Sequence, residues 1–351
     1  MTRSVSSSSE QRIQLYNEAD HLSTFPMIEA IDYYTSHTVS SIRITPYPAG
    51  HVLGAAMFLI EIAGLKILFT GDYSREEDRH LITAQAPRNV KIDVLITEST
   101  YGIASHEPRQ EREQAFLKAV TSVLNRGGRA LLPVFALGRA QELLLILEEF
   151  WAKHAEYQKY PIYYASNLAR KCMIVYQTYV GSMNDNIKQR FADRMAEAEA
   201  TGDVGKGGPW DFRFVRSLRS LERFEDVGGC VMLASPGMMQ NGVSRELLER
   251  WAPDPKNGVI ITGYSVEGTM AQMIMTEPDT INAVTMRGAN VGARGRPGAG
   301  GQAEQVTIPR RCSVEEFAFA AHVDGQENRE FIEEVAAPVV VSASAPSVAA
   351  R

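Results

Sequence analysis

Residues Tyr47–Ser74 read YPAGHVLGAAMFLIEIAGLKILFTGDYS. Two apolar runs in it, AAMFLIEIAG and LKILFTGD, have the length and β-branched content of strands, and Gly64 between them marks a tight turn. His51 precedes the first run, between Gly50 and Gly54, where small residues let the backbone bend closely around a ligand. Asp72 ends the second run, so its carboxylate projects from a strand tip, a frequent address for active sites in α/β proteins. Both residue types are candidate metal ligands. A Gly–Asp pair after a strand also makes ordinary turns, so by itself it is a weak sign.

Working outward, IDVLITES is a third strand and, like the second, it closes on a carboxylate, Glu98. EREQAFLKAVTSVLNRGG has the spacing of an amphipathic helix, stopped by Gly127 and Gly128. RALLPVFALGRAQELLLILEEFWAKH reads as strand, turn at Leu137–Arg139, then helix, and PIYYASNLARKCMIVYQTYV repeats that plan. GCVMLASPGMM and NGVIITGY are near-continuous apolar strands of the kind buried on both faces. The fold class is therefore α/β, with some parallel sheet.

The 351 residues suffice for one large domain or two ordinary ones. A composition of 44% hydrophobic and 22% charged residues is that of a globular protein with a sizeable core. The net charge of −6 gives no chain-wide attraction to nucleic acid, so any grip on RNA has to be local. Cys172, Cys230 and Cys312 lie far apart and read as buried apolar thiols rather than a zinc ribbon or disulfide framework. No secretory signal and no run of about 18 apolar residues is present, so a soluble intracellular protein with no membrane contact is expected. Residues 1–25 read as a disordered lead-in, 286–305 (MRGANVGARGRPGAGGQAEQ) as a flexible Gly/Arg-rich insertion, and 341–351 as a disordered tail.

Among seven histidines, His21, His37, His106 and His154 stand in polar surroundings and read as surface residues. His80, beside Asp78 and Arg79, reads as a structural hydrogen bonder. Glu98 ends an apolar strand, where a buried carboxylate needs a partner. His322, in FAFAAHVDGQENREF, is the candidate partner, since a carboxylate bonded to an imidazole suits general acid chemistry. The turns at Gly138–Arg139 and at Ser166–Asn167, with Lys171 nearby, open helices after strands and are candidate RNA phosphate-binding sites.

Taken together, AGHVLGAAMFLIEIAG, LFTGDYSREEDRHL, LITESTYG, PVFALGRAQELLLILEEFW, PIYYASNLARKCMIVYQTYV and ASPGMMQNGVSRELLERW resemble the metallo-β-lactamase, β-CASP family. Within it they are most similar to the nuclease subunit of the cleavage and polyadenylation specificity factor, in a fungal version. The resemblance runs through most of residues 38–337. It implies an αββα metallo-β-lactamase sandwich, here incomplete, over 26–103 and 314–340, with an inserted β-CASP α/β domain over 104–313. It implies a zinc-dependent endoribonuclease cleaving pre-mRNA 3′ ends in the nucleus before polyadenylation. The implied partners are pre-mRNA and other subunits of the processing complex, among them a non-catalytic β-CASP paralogue and a scaffold subunit.

Carried over by position, His51 matches a zinc ligand and Asp72 the carboxylate bridging two zincs, while Glu98 and His322 match the acid pair. The resemblance also implies a His-x-His-x-Asp-His run ahead of His51 and a further ligand histidine after PVVV. Residues 1–50 hold only His21 and His37, and PVVV continues as SASAPSV. A two-zinc site needs about six or seven protein groups. The expectation is a central piece of the nuclease that does not stably hold two zincs, whether by gene-model truncation, splicing or degeneration. Alternatives are a catalytically inactive structural subunit of the same complex, or the sibling nuclease of the Integrator complex.

Overall fold

The computed structural model describes residues 15–166, 168–202, 208, 210–218, 221–286, 303–319 and 321–343. The interior of the Gly/Arg-rich segment, residues 287–302, falls outside them, as do 1–14 and 344–351.

The opening stretch forms strands β3 (Ala56–Ile62) and β4 (Leu65–Phe69), paired antiparallel with Ile62 opposite Leu65. Ala63 and Gly64 turn the chain with φ of 50° and 82°, the double positive φ that a two-residue hairpin demands. On one side β3 pairs with β2 (Ile42–Pro48), which carries β1 (His37–Val39). On the other, β4 runs parallel to β5 (Val94–Glu98), followed by β14 (Val339–Ala343).

One face of this six-stranded sheet buries Met57, Leu59, Leu68 and Leu95 against Tyr73, Val323 and Phe331. Phe331 lies on helix α8 (Gly325–Val335), which starts at a capping box between Asp324 and Glu327. The opposite face is apolar in register: Ile44, Ile60, Ile67, Val94 and Val339 form one row, and Phe58, Phe69, Ile96 and Val341 the next. Phe69 and Val341 stay 40% and 45% exposed there. A sandwich buries both faces of such a sheet, and among the described residues only one of its two sheets is present.

The second sheet is parallel throughout and has the order β13-β10-β6-β9-β7-β8. Its strands are β6 (Arg129–Pro133), β7 (Ile162–Ala165), β8 (Val215–Leu218), β9 (Cys230–Ala234), β10 (Gly258–Ile261) and β13 (Ser313–Glu316). Alternate side chains divide between its two faces. Ala130, Leu132, Val231, Leu233 and Ile260 meet helices α2 (Arg109–Asn125) and α3 (Arg139–Lys153). Leu131, Met232, Val259 and Ile261 meet α6 (Gly242–Trp251) and α7 (Met270–Met275). From β6 the chain leaves over one face through α3 to β7, and from β9 over the other through α6 to β10. The carboxyl ends of β6, β9 and β10 therefore flank a topological switch point, where open α/β sheets leave a crevice.

Several boundaries differ from the sequence reading. Within the lead-in, Glu18–Thr24 form a short helix, α1, closed by an Asn17 capping box, although it buries no residue. The strand at the far end reaches Ala343, three residues into the expected tail, because Val339–Ala343 have β5 as a partner. The Gly/Arg-rich segment is flanked by a hairpin of β11 (Thr280–Met286) and β12 (Ala303–Pro309), whose ends take in its outer residues. Residues Ser313–Glu316 pair with β10 of the second sheet, and Phe319 packs in its core, so the chain returns to the first sheet after Phe319 and not at 314. FAFAA itself forms no strand among its described residues.

Candidate active site

Four residues that sequence reasoning singled out meet at one place, at the end of the first sheet where β4 and β5 stop. The His51 loop is clamped at both of its sides. Ser74 N–H donates to the Ala49 carbonyl at 2.8 Å, and Ala84 N–H donates to the Ser74 carbonyl at 2.9 Å. Gly50 sits there at φ +70°, and any Cβ would run into the Ser74 carbonyl oxygen. Only glycine meets both demands.

His51 Nδ1–H donates to the Ala321 carbonyl at 2.7 Å, which fixes the tautomer and leaves Nε2 with its lone pair, 4.0 Å from Asp72 Oδ2. Burial lowers the His51 pKa, and the charges of His322 and Arg139 add to this against the Ala321 bond and Asp72. The ring is thus neutral near pH 7, the form that binds a metal. Asp72 is exposed at the strand tip.

Glu98 and His322, 224 positions apart, form a hydrogen bond of 2.8 Å from His322 Nδ1 to Glu98 Oε2. The other carboxylate oxygen accepts the buried Tyr73 N–H at 2.7 Å. Burial alone would raise the Glu98 carboxyl, but the bond and charge of His322, aided by Thr100 and Tyr73, hold it below its ordinary value. The His322 and His51 rings lie 4.7 Å apart. Donor atoms of His51, Asp72 and His322 come within 4.8 Å of one another.

Two contributors escaped the sequence. His106, read as a surface residue, is half-buried beside His322: its backbone N–H donates to Asp324 at 2.8 Å, its Nε2 lies 3.1 Å from the His322 carbonyl, and its ring stands edge-on to Tyr101. Asn328 donates from Nδ2 to the Glu98 carbonyl at 2.8 Å while its Oδ1 accepts from Tyr73 and Thr97 hydroxyls. Its place one turn into α8, on the buried face with Phe331, was the one available signal.

The candidate phosphate groups fare differently. The Arg139 guanidinium donates to both oxygens of Asp78, at 3.1 and 2.6 Å, and to the His51 carbonyl, so its charge is already matched. Gly138 at φ +102° starts α3 beside Val52 and lines the crevice without a free cation next to it. Ser166 is buried and its Oγ accepts from Leu168 N–H. Lys171 is exposed on α4 (Ala169–Thr178), and Asn167 lies outside the described residues. The arginine ties α3 to the loop after β4.

That loop anchors a buried ion-pair network. Arg79 bonds Glu113, Glu142 and Glu149, and Arg109 bonds Glu113 and Glu142. His80, fully buried, donates from Nδ1 to Glu142 at 3.0 Å, in keeping with a structural role. Asp78, His80 and Glu142 have the proximity of metal ligands, but arginines occupy both carboxylates. Among the cysteines, burial pushes the Cys230 thiol up to about 12 and the Cys312 thiol up to about 11, whereas Cys172 is only half-buried.

The His51–Asp72–His322 set offers two nitrogens and one carboxylate. That is enough to begin one open metal site. It does not fit a pair of zincs, which needs about twice as many donors, and Glu98 already holds one of the three residues.

Comparison with known proteins places two domain families along the chain. Residues 2–100 match the metallo-β-lactamase superfamily domain, and residues 140–274 match the Beta-Casp domain. The chain is 78% identical over 336 residues to endoribonuclease ysh-1 of Neurospora crassa, covering 95% of this chain and 39% of that protein. It is 55% identical over 328 residues to endoribonuclease ysh1 of Schizosaccharomyces pombe and 52% identical over 330 residues to endoribonuclease YSH1 of Saccharomyces cerevisiae. Each of these alignments covers 93% of this chain and 39% of the relative. The chain thus spans about two fifths of the length of the curated relatives it matches.

Proposed function

We propose that this chain, which matches a metallo-β-lactamase superfamily domain and a Beta-Casp domain, carries the acid pair and two metal ligands of an endoribonuclease acting on pre-mRNA 3′ ends in the nucleus. The observation that carries the reading is the Glu98–His322 bond, held open toward His51 and Asp72. On the same reading residues 26–103 and those after Phe319 make up the metallo-β-lactamase part, and residues 104–319 the β-CASP part. Partners are other subunits of the 3′-end processing complex.

The residues present divide the work. Glu98 holds His322 by Nδ1, so Nε2 faces the crevice and is placed to protonate the 3′ oxygen leaving a phosphodiester. The products are a 3′-hydroxyl and a 5′-phosphate. Tyr73 N–H and Asn328 fix Glu98 from behind, so the pair keeps its orientation before substrate arrives. In the family, two zinc ions supply the nucleophile and neutralise phosphate charge. The donors described here do not complete that centre, and no step is assigned through it. Cleavage then requires ligands beyond His51 and Asp72. A second reading, an inactive structural subunit, is favoured by that same shortage.

A chimera separates the two. The matching residues of the Neurospora crassa relative are replaced by this chain, and cleavage of an RNA bearing a polyadenylation site is measured. A cutting chimera whose His322→Ala form is roughly 10²–10⁴-fold slower supports the acid-pair role. A folded chimera that fails to cut, or one indifferent to His322→Ala, overturns it.

A further inference from the structure

The crevice at the switch point is an apolar cavity of about 340 Å³ opening beside the histidine pair. Its walls come from the carboxyl ends of three strands: Phe135 and Leu137 after β6, Met238 after β9, Tyr264 and Val266 after β10, with His51 and His322 at its mouth. Four of these are large apolar side chains left open: Phe135 is 58% exposed and Tyr264 51%, and Leu137 and Val266 are 45% each. Exposed apolar groups gathered around a cavity mark a binding site rather than a scattered surface. An aromatic path also leads from the cavity to the acid pair. Tyr264 stands edge-on to Tyr101 at 6.5 Å, and Tyr101 lies 5.8 Å from the His322 ring.

Charge decides what fits. Arg139, the one arginine or lysine lining the cavity, is paired with Asp78, so beyond the histidines at its mouth the cavity offers no free positive charge for a phosphate. Its volume is at the small-ligand end of protein pockets, too small for a helix or strand of another protein. An uncharged, flat, aromatic group suits it.

We propose that this cavity takes a nucleobase of the RNA strand, next to the phosphate presented to His322, with Tyr264 and Phe135 as the stacking platform. The inference rests on the endoribonuclease reading above and deepens it. Because every base has a π-face, stacking there is tolerant of sequence, and it positions the strand without reading it. The phosphate is then brought to the histidine pair by the base beside it and not by a cation in the cleft.

The test uses the purified chain and short single-stranded RNAs, each holding 2-aminopurine or an abasic residue at one scanned position, with binding read by base fluorescence and by anisotropy. The expected result is quenching at one position, and weaker binding when that position is abasic, by roughly 5- to 150-fold, the equivalent of one stacked base. Tyr264→Ala weakens the intact RNA by a similar factor and leaves the abasic RNA unchanged, while Tyr264→Phe keeps the platform. Binding that ignores base removal at every position overturns the base site but leaves an RNA-binding protein. Binding to RNA no tighter than to heparin overturns the endoribonuclease reading along with it.

Discussion

Truncating Glu98 tests whether the acid pair is held by the fold. Glu98→Ala removes the acceptor of Tyr73 N–H, which is fully buried, and the acceptor of His322 Nδ1–H, which is largely covered. Bonds to a charged group contribute about 1.5–3 kcal/mol each. The lower half of that range is appropriate for the His322 side, which opens on solvent, so the variant loses about 3–5 kcal/mol locally. All three tryptophans, Trp151, Trp210 and Trp251, lie in the cores of the second sheet and its helices, so tryptophan fluorescence is blind to this loss. Native-state hydrogen exchange of peptides spanning β4 and β5 reads it directly. A drop of 3 kcal/mol makes their exchange through local opening roughly 150-fold faster. Glu98→Gln keeps one oxygen for Tyr73 and loses about half as much. The pH dependence has a fixed sign. The Glu98 carboxyl is held below its ordinary value in the fold, so its stabilisation is complete above that ordinary value, about 4.3, and fades as pH falls through the folded one. The difference between wild type and Glu98→Gln is therefore level from pH 7 to 5 and shrinks below about pH 4. Protection of both peptides within about 0.5 kcal/mol of wild type in Glu98→Ala would refute the anchoring of this pair by burial.

Gly50→Ala forces an unfavourable φ and a Cβ against the Ser74 carbonyl, so a loss of about 2–3 kcal/mol is expected, with weaker divalent-metal binding in calorimetry as His51 shifts. Glu142→Gln removes the charge shared by Arg79, Arg109 and His80. Because both arginines keep Glu113, the cost falls near the low end for a broken buried pair, about 3 kcal/mol, read as a lower midpoint in urea by tryptophan fluorescence. The open apolar rows of the first sheet predict native-state binding of the dye ANS. Phe69→Lys reduces that fluorescence while changing stability by no more than about 0.5 kcal/mol, since Phe69 is 40% exposed.

The architecture was legible where local pattern and tertiary fate agree. The β3–β4 hairpin follows from two apolar runs and a turn glycine, and β9 and β10 follow from continuous apolar runs that a parallel sheet buries on both faces. Elements whose stability comes from partners far away were missed or misplaced. The PVVV strand runs on to Ala343 because β5 lies beside it, and Ser313–Glu316 carries two glutamates yet serves as an edge strand next to β10. Site residues divide in the same way. His51 and Asp72 stand out because glycine and a strand tip frame them in sequence. His106 has no such frame, and its role comes from Asp324 and His322, more than 200 positions on.

Arg139 shows how a correct local reading can leave a tertiary partner unseen. A strand, a glycine turn and an arginine at a helix start do describe an anion site, and the helix begins where the pattern places it. What the pattern omits is Asp78, 61 positions earlier, which takes both guanidinium arms. The arginine thereby fastens α3 to the loop after β4, beside the backbone of His51. The same loop carries Arg79 and His80 into the glutamates of α2 and α3. Glu98, Tyr73, Asn328 and the Ala321 carbonyl likewise orient the two histidines by hydrogen bonds internal to the protein. Among the described residues, the groups that orient the two histidines are thus present, whereas a full donor set for a pair of metal ions is not. Positioning and metal binding are separable properties of the site, so the first does not depend on the second.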